Sequence, residues 1–189
     1  MGPLKGKTTT LLLDERNANQ SFARVAMALL ARTGNTCTIF DLDALYSSNS
    51  DQILGPLPVT SNRLTTILVP DPDSSIEREL PRVFATSSGV IIIDSLNTLH
   101  HLLSSEDGST RSRKLSFAVA SLSYIAKAGR KAVIFTMYRR EGFGRVGAGR
   151  SISSLSDVAA SVEVRASELS IKRERGTAWP DGRFSIRIP

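Results

Sequence analysis

The first residues that could bind a charged ligand are Gly2, Gly6, Lys7 and Thr8. Phosphate-binding loops follow the pattern Gly-x-x-x-x-Gly-Lys-Ser/Thr, in which backbone N–H groups and the lysine contact phosphate oxygens. In this chain the two glycines stand one residue too close together for that pattern. The residues from Thr8 to Leu13 are β-branched and then apolar, which predicts a strand where the pattern requires a helix. We therefore interpret the start of the chain as a basic tail that leads into a first strand.

Three other side chains with reactive or metal-binding chemistry are predicted to be structural. Cys37 stands in the strand-like run Thr36–Phe40, so we expect a buried, inert thiol and no disulfide. His100 and His101 are adjacent, and neither has a cysteine or a second carboxylate at metal-ligand spacing. No metal site is predicted from these residues.

The net charge of +6 is unevenly distributed along the chain. Residues 1–110 hold 8 Lys and Arg against 12 Asp and Glu, whereas residues 111–189 hold 16 against 6. Most cations of the second part are Arg, which suits bidentate contacts to phosphate. A basic half indicates either a polyanionic partner or a highly charged solvated face, and composition alone favours neither.

Length and hydropathy predict one globular domain spanning residues 1–189, without accessory domains. The chain has 189 residues, of which 41% are apolar, and this is enough to bury a full core. No apolar run approaches the length of a membrane span, and no charged-then-apolar leader is seen. We expect a cytoplasmic protein with no membrane partner.

The pattern of apolar residues predicts strands that alternate with helices, followed by strands alone. Such an order predicts an α/β sheet that is parallel in the middle and antiparallel at one edge. The predicted strands are about 8–13, 36–42, 64–69, 90–94, 131–136, 160–165, 169–173 and 183–188, and the predicted helices are 21–32, 74–86 and 111–128.

This order of elements, together with several motifs, resembles the RecA-fold ATPase core of the RadA/KaiC family. Val90–Leu96 is similar to the Walker B strand of that family, and residues 111–136 are similar to the helix and strand that follow it. Ser156–Ala159, Leu169–Gly176 and Gly182–Ile188 are similar to its C-terminal β region. The resemblance covers essentially the whole chain. It implies a three-layer RecA-like fold with a central, mostly parallel sheet and antiparallel C-terminal edge strands.

The family's phosphate-binding loop lies between the first strand and the first helix, and its chemistry is altered in this chain. Asp14 and Asn19 stand at the two glycine positions. Gln20 stands at the lysine position, and only Ser21 matches. The glycines permit close backbone approach and the lysine neutralises phosphate charge, whereas Asp14 would repel an anionic nucleotide. The resemblance therefore implies a degenerate nucleotide site.

The other positions of the family's ATP site are also altered. Its catalytic Glu corresponds to Asp43, which is one methylene shorter, and its polar sensor falls near Met137 and Tyr138. Asp94, the Walker B carboxylate, could still hold Mg²⁺, but a lone carboxylate makes a poor metal site. We interpret Asp94 as a remnant or a strand-end cap. We predict a pseudo-ATPase with no catalytic residue, no metal and no cofactor.

In the recombinases of this family, two loops line the DNA channel, and both have basic counterparts here. The first is 103–114; the second, 138–150, holds four arginines, four glycines and two aromatic residues. Glycines let a backbone follow a phosphate chain, arginines supply charge, and aromatic rings stack on bases. The alternative is a Gly-rich loop whose arginines are solvated or pack on a protein. The predicted nucleic-acid-binding residues are Arg111, Arg113, Lys114, Tyr138, Arg139, Arg140, Phe143, Arg145 and Arg150.

A further set of cations implies a neighbouring subunit. Chains resembling KaiC send Lys and Arg from the strand that matches Leu169–Gly176 toward the nucleotide of the adjacent subunit. Lys172, Arg173 and Arg175 stand on this strand, where alternation puts Lys172 on the face opposite the other two. The resemblance thus implies a homo-oligomer or an active RecA-fold partner that borrows Arg173 or Arg175. The alternative is a solvated or nucleic-acid-facing edge.

Our leading hypothesis is a non-catalytic RadA-like paralogue that binds DNA, in particular single-stranded DNA, and assists homologous recombination or DNA repair. One alternative is a structural subunit of an Elongator-like ring, which would engage tRNA, so that RNA is the competing nucleic acid. Another is a KaiC-like regulatory subunit that binds no nucleic acid. Nucleic-acid binding separates the first two from the third, and competition between DNA and tRNA separates the first from the second.

Overall fold

The computed structural model describes residues 5–13, 20–27, 34–53, 65–103, 107–138, 156–165, 168–176 and 183–187. For residues 165, 175 and 183–187 the backbone alone is described. Within these ranges no helix combines the length and apolar character that a membrane span needs.

The described strands form one eight-stranded sheet. Their order is β3-β2-β4-β5-β1-β6-β7-β8. All pairs from β3 to β6 are parallel, and the pairs β6–β7 and β7–β8 are antiparallel. The strands are β1 Lys7–Leu13, β2 Cys37–Asp41, β3 Thr65–Leu68, β4 Val90–Asp94, β5 Ala132–Tyr138, β6 Val158–Arg165, β7 Glu168–Arg175 and β8 Arg183–Arg187.

Helices cover both faces of this sheet. Side chains alternate between the faces along each strand, so Val90 and Ile92 of β4 enter one core cluster, while Ile91 and Ile93 enter the other. The first cluster packs against α1 to α3 and the second against α4 to α6. The helices are α1 at residues 20–27, α2 Leu45–Ser48, α3 Ser50–Ile53, α4 Ile76–Phe84, α5 Leu96–Leu102 and α6 Gly108–Gly129.

The predicted fold is confirmed. The parallel centre and the antiparallel C-terminal strands lie where the sequence put them, and helices on both faces make three layers. The strands β2 and β4 are buried throughout, as expected of parallel strands covered on both faces. Cys37 is buried in β2, as predicted, and burial raises the pKa of its thiol to about 12. The end of the predicted helix 21–32 lies outside the described residues.

The helices after β4 differ from the prediction in two ways. Residues 96–102 form α5, which was not predicted; Ser95 caps it by accepting a hydrogen bond from the Thr98 N–H at 3.4 Å. The long helix begins at Gly108 rather than at 111, because Asp107 accepts hydrogen bonds from the N–H groups of Ser109 and Thr110 at 3.1 and 2.9 Å. Arg111, Arg113 and Lys114, which the sequence placed both in the predicted helix and in the loop 103–114, therefore lie in the first turns of a helix.

Candidate functional site

The carboxyl ends of β2, β4 and β5 bring three polar side chains to one place. Asp41 and Asp94 are direct neighbours in the register of β2 and β4, and Thr136 lies near the end of β5. Each follows by two residues an isoleucine of the first core cluster, so all three side chains lie on the face covered by α1 to α3. This is the face and the edge at which the resemblance places the degenerate nucleotide site.

Asp94 lies fully inside this edge. Its residue exposure is 0%, and its carboxylate accepts a hydrogen bond from the Thr136 hydroxyl. The backbone carbonyl of Asp94 accepts hydrogen bonds from the N–H groups of Leu42 and Asp43, at 2.8 and 3.2 Å. The carboxylate that stands at the Walker B position of the resemblance thus bonds within the sheet, and the backbone carbonyl of Asp94 fixes the start of the turn after β2.

Two further carboxylates of this edge hold local structure. Asp41 is buried and accepts hydrogen bonds from the N–H groups of Tyr46 and Ser47, at 3.2 and 2.8 Å. These bonds satisfy donors at the start of α2 that the helix itself cannot pair. Asp43, which stands at the catalytic Glu position of the resemblance, accepts a hydrogen bond from the Thr98 hydroxyl of α5. Asp41 therefore caps a helix, and Asp43 links the turn after β2 to α5.

Tyr46 lies among these groups with 0% exposure and packs in the first core cluster. Burial raises the pKa of its phenol well above 10, and the charge of Asp94 and then Asp41 raises it further. Its hydroxyl is buried and has no hydrogen-bond partner within the described part of the chain. A neutral aromatic ring thus stands beside the carboxylates at this edge.

The start of α1 completes what is described of the site. Gln20, at the lysine position, donates a hydrogen bond from Nε2 to Oε1 of Gln52 in α3, at 3.0 Å. Ser21 follows in the first turn and is half-buried. Asp14 and Asn19 lie outside the described residues. Across the ranges that the structure describes, no group of three or more His, Cys, Asp or Glu has metal-binding geometry.

The predicted nucleic-acid residues divide between a helix, a strand end and a segment outside the described ranges. Arg113 is exposed on α6, and its guanidinium donates to the Thr110 hydroxyl at 3.2 Å. Lys114 forms an ion pair with Glu77 of α4 at 2.9 Å, and Arg111 is half-buried. Tyr138 ends β5 and packs partly against the first core cluster. The remaining residues, Arg139, Arg140, Phe143, Arg145 and Arg150, lie outside the described residues.

The cations of β7 lie on both faces of the antiparallel region. Arg173 follows Leu169 and Ile171 at two-residue spacing, and both of these are buried in the first core cluster. Arg173 is half-buried, whereas Lys172 is exposed on the opposite face. β7 pairs with both β6 and β8, so it is an inner strand rather than the sheet edge that one alternative assumed. For Arg175 the backbone alone is described.

Sequence reasoning missed the two residues that organise this edge, Tyr46 and Asp41. Asp41 ends β2 three residues before the N-cap residue of α2, Ala44, so its bonds to the start of that helix could not be expected without knowing the turn between them. No signal exists for Tyr46 either, because a tyrosine in a polar segment gives no indication that its ring is fully buried.

Comparison with known proteins supports the fold and goes no further. No model of a known protein family matches the sequence, and no curated protein matches it. Among solved structures, the crystal structure of the RadB recombinase is similar, with a TM-score of 0.70 and 14% sequence identity. The alignment covers 98% of this chain and 89% of that chain. At this identity the likeness shows the architecture alone: the chain has a RecA-like α/β fold.

Proposed function

We propose that the protein is a cytoplasmic, non-catalytic RecA-like subunit that binds DNA and assists homologous recombination or repair. The carboxyl ends of β2, β4 and β5 are here called the carboxyl edge. The observation that carries the non-catalytic part is that this edge is closed, which means that Asp41 and Asp94 are buried and hydrogen-bonded within the protein. Asp94 has no exposed surface and accepts a hydrogen bond from Thr136, and the charge of Asp94 helps to raise the phenol pKa of the fully buried Tyr46. A metal ion at Oδ1 of Asp94 would compete with the Thr136 hydrogen bond, and Gln20 lacks the charge with which a lysine stabilises phosphate.

The DNA-binding part is supported by charge. Residues 111–189 carry 16 Lys and Arg against 6 Asp and Glu, and four of the arginines fall between 139 and 150. This segment follows directly from the end of β5, the central strand next to β4 and β1. Arginines interleaved with glycines and an aromatic residue are typical of single-stranded nucleic-acid binding.

The test is a titration with labelled single-stranded DNA, duplex DNA and tRNA over a range of salt concentrations. We expect single-stranded DNA to bind most tightly, with an affinity that falls as salt rises. Replacing Arg139, Arg140, Arg145 and Arg150 by Ala should reduce the salt dependence by about one unit of slope per lost phosphate contact. As a matched control, Arg78→Ala with Arg82→Ala removes two cations from α4 and should leave the affinity unchanged.

Each other outcome of this titration selects a different function. Unchanged affinity in the fourfold variant would remove 139–150 from the binding surface. A clear preference for tRNA would favour the structural-subunit alternative. Absence of binding to all three probes would overturn the DNA-binding proposal and favour a regulatory subunit.

The proposed protein partner is an active RecA-fold ATPase, or a second copy of this chain. Arg173 or Arg175 would then reach the partner's ATP site, where a cation supplied by a neighbour stabilises the transferring phosphoryl group. Mixing the protein with a co-purifying RecA-fold ATPase should increase ATP turnover, and Arg173→Ala or Arg175→Ala should abolish the increase. If the wild-type protein leaves turnover unchanged, the proposed role of these arginines is wrong.

A further inference from the structure

The outer face of α6 carries two large aromatic side chains that the core does not use. Phe117 is 74% exposed and Tyr124 is 73% exposed, and they are seven residues apart on the same helix face. The opposite face of α6 is buried in the second core cluster through residues such as Leu115, Val119 and Leu122. The attachment of α6 to the sheet therefore does not depend on Phe117 or Tyr124.

The exposed residues of this face follow the spacing of a helix-packing seam. Arg113, Phe117, Ala120, Tyr124 and Lys127 are all exposed and stand four, three, four and three residues apart. Alternating steps of three and four keep side chains along one line of a helix, as in coiled coils. We name these five residues the α6 stripe. Its centre is apolar, and each end has a cation.

All charged side chains of α6 are positively charged. The helix contains Arg and Lys but no acidic residue, and Asp107 is its N-terminal cap. The cations at the ends of the stripe are about 21 Å apart, since they are fourteen residues apart on a helix that rises about 1.5 Å per residue. Nζ of Lys127 lies 3.9 Å from Oδ1 of Asp157, and because the lysine side chain is 63% exposed, this ion pair contributes little.

We propose that the α6 stripe is a docking site for an amphipathic helix of a protein partner, with an apolar centre and acidic residues at both ends. Apolar side chains of the partner would cover Phe117 and Tyr124, and its carboxylates would meet Arg113 and Lys127. Large exposed aromatic side chains flanked by arginine are typical of the residues that dominate protein–protein interfaces. This site is separate from the carboxyl edge, which lies on the opposite face of the sheet.

Two other occupants fit these observations less well. A second copy of α6 would bring cation against cation in either orientation, because both ends of the stripe are basic. A nucleic-acid strand carries a phosphate at every nucleotide, so most phosphates that cross the stripe would face its apolar centre. An acidic helix matches both the charges at the ends and the apolar residues between them.

The test uses a fluorescently labelled synthetic helix of about 20 residues, long enough to span both cations. Its facing positions are Leu and Ala, with Glu at two positions that match Arg113 and Lys127. A control peptide has Lys in place of both Glu. We expect the wild-type protein to bind the acidic peptide about tenfold more tightly than the basic one.

Two double variants examine the apolar and charged parts separately. Phe117→Ala with Tyr124→Ala should weaken binding of the acidic peptide by about tenfold or more, as truncation of central aromatic anchors does. Arg113→Glu with Lys127→Glu should reverse the preference, so that the basic peptide binds better. The matched control is Val69→Ala, which truncates an exposed apolar side chain elsewhere and should change nothing. Because all the changed side chains are exposed, the thermal unfolding midpoints should stay close to that of the wild type.

Four results would each overturn the proposal. The first is equal or undetectable binding of the two peptides to the wild-type protein. The second is unchanged binding by the Phe117→Ala, Tyr124→Ala variant. The third is a wild-type dimer that this variant dissociates in sedimentation experiments, which would make a second copy the occupant. The fourth is a comparable loss of single-stranded DNA affinity in this variant, which would make the stripe a nucleic-acid surface.

Discussion

At the scale of single residues, the carboxylates of the site accept hydrogen bonds from other groups of the protein. Asp41 caps α2, Asp43 accepts a bond from Thr98, and Asp94 accepts one from Thr136. A carboxylate that holds a metal must offer lone pairs to the ion, whereas here both oxygens of Asp41 and one oxygen each of Asp43 and Asp94 accept protein donors. The sequence alone suggested that Asp94 is a remnant or a cap, but its hydrogen-bond partner could not be derived, because Thr136 is 42 residues away in the chain.

Tyr46 provides a test of how the closed edge is stabilised. Replacing it with Phe removes a buried hydroxyl without a described partner, so we expect stability to be unchanged or to rise by up to about 1 kcal/mol. Replacing it with Ala leaves a cavity and should cost about 3–5 kcal/mol. Urea unfolding curves of the two variants measure both effects. Similar destabilisation by Phe and Ala would mean that the hydroxyl forms an important hydrogen bond.

The raised pKa of the buried Cys37 thiol should make the stability of the protein depend on pH in the alkaline range. Burial raises its thiol pKa from 9.0 to about 12. The unfolded chain therefore loses this proton first as pH rises, so the stabilisation is complete below pH 9 and is lost between pH 9 and about 12. In this window the free energy of unfolding should fall by about 1.4 kcal/mol per pH unit from this group.

The measurement is the free energy of unfolding of the wild type and of Cys37→Ala across that pH range. The free energy of unfolding should decline less steeply with pH in the variant than in the wild type. Part of the decline that remains in the variant comes from Tyr46, whose pKa is also raised. Only the slopes are compared, because the smaller side chain also changes packing. Equal slopes in the two proteins would contradict burial as the cause of the raised thiol pKa.

At the scale of elements, strands were predicted better than helices. A run such as Val90–Asp94 is apolar throughout, and its burial on both faces follows directly from that composition. The short helix α5 is different, because only Leu96 and Leu99 of its residues are buried, which gives a weak helical period. The exposed aromatics of α6 were missed for another reason: a mixed apolar stretch does not reveal which of its faces is covered.

Hydrogen bonds connect Asp157, the residue before β6, to Thr8 of β1. The carboxylate of Asp157 accepts hydrogen bonds from the backbone N–H and the hydroxyl of Thr8, at 2.8 and 3.0 Å. These residues are 149 positions apart, so the contact holds the C-terminal β region to the first strand. The sequence singled out Ser156–Ala159 only as a motif of the resemblance, and the partner Thr8 could not be derived from it.

Asp157→Ala should therefore destabilise the protein by about 1–3 kcal/mol, because it leaves the Thr8 donors without their acceptor. Lys127→Ala is the matched control, since it removes only the exposed 3.9 Å ion pair to the same carboxylate and should cost less than about 1 kcal/mol. Chemical denaturation of both variants measures the difference. Equal effects would show that the hydrogen bonds to Thr8 contribute little.

At the scale of the whole molecule, the chain has a RecA-like α/β fold, and Asp94 and Thr136 at the carboxyl ends of its central strands bond to each other. The order of strands and helices carried enough information to predict the fold, because parallel strands with helical connections have few arrangements. The site was predictable only in part. The residues that the resemblance aligns with the family's glycines and lysine, Asp14, Asn19 and Gln20, can be read from the sequence. The burial of Tyr46 and the contacts of Asp94 cannot, because they depend on packing between distant segments.

The closed edge predicts that the molecule gains no stability from nucleotide. A ligand that binds only the folded state stabilises it by about 2.7 kcal/mol at a concentration of one hundred times its Kd, and the unfolding midpoint then rises with ligand concentration. We expect millimolar MgATP to leave the thermal unfolding midpoint unchanged. The same result is expected for Gln20→Lys, because this change restores one charge while Asp14, Asn19 and the buried ring of Tyr46 remain. A rise in the midpoint with MgATP that disappears in Asp94→Asn would show a working nucleotide site and contradict the non-catalytic proposal.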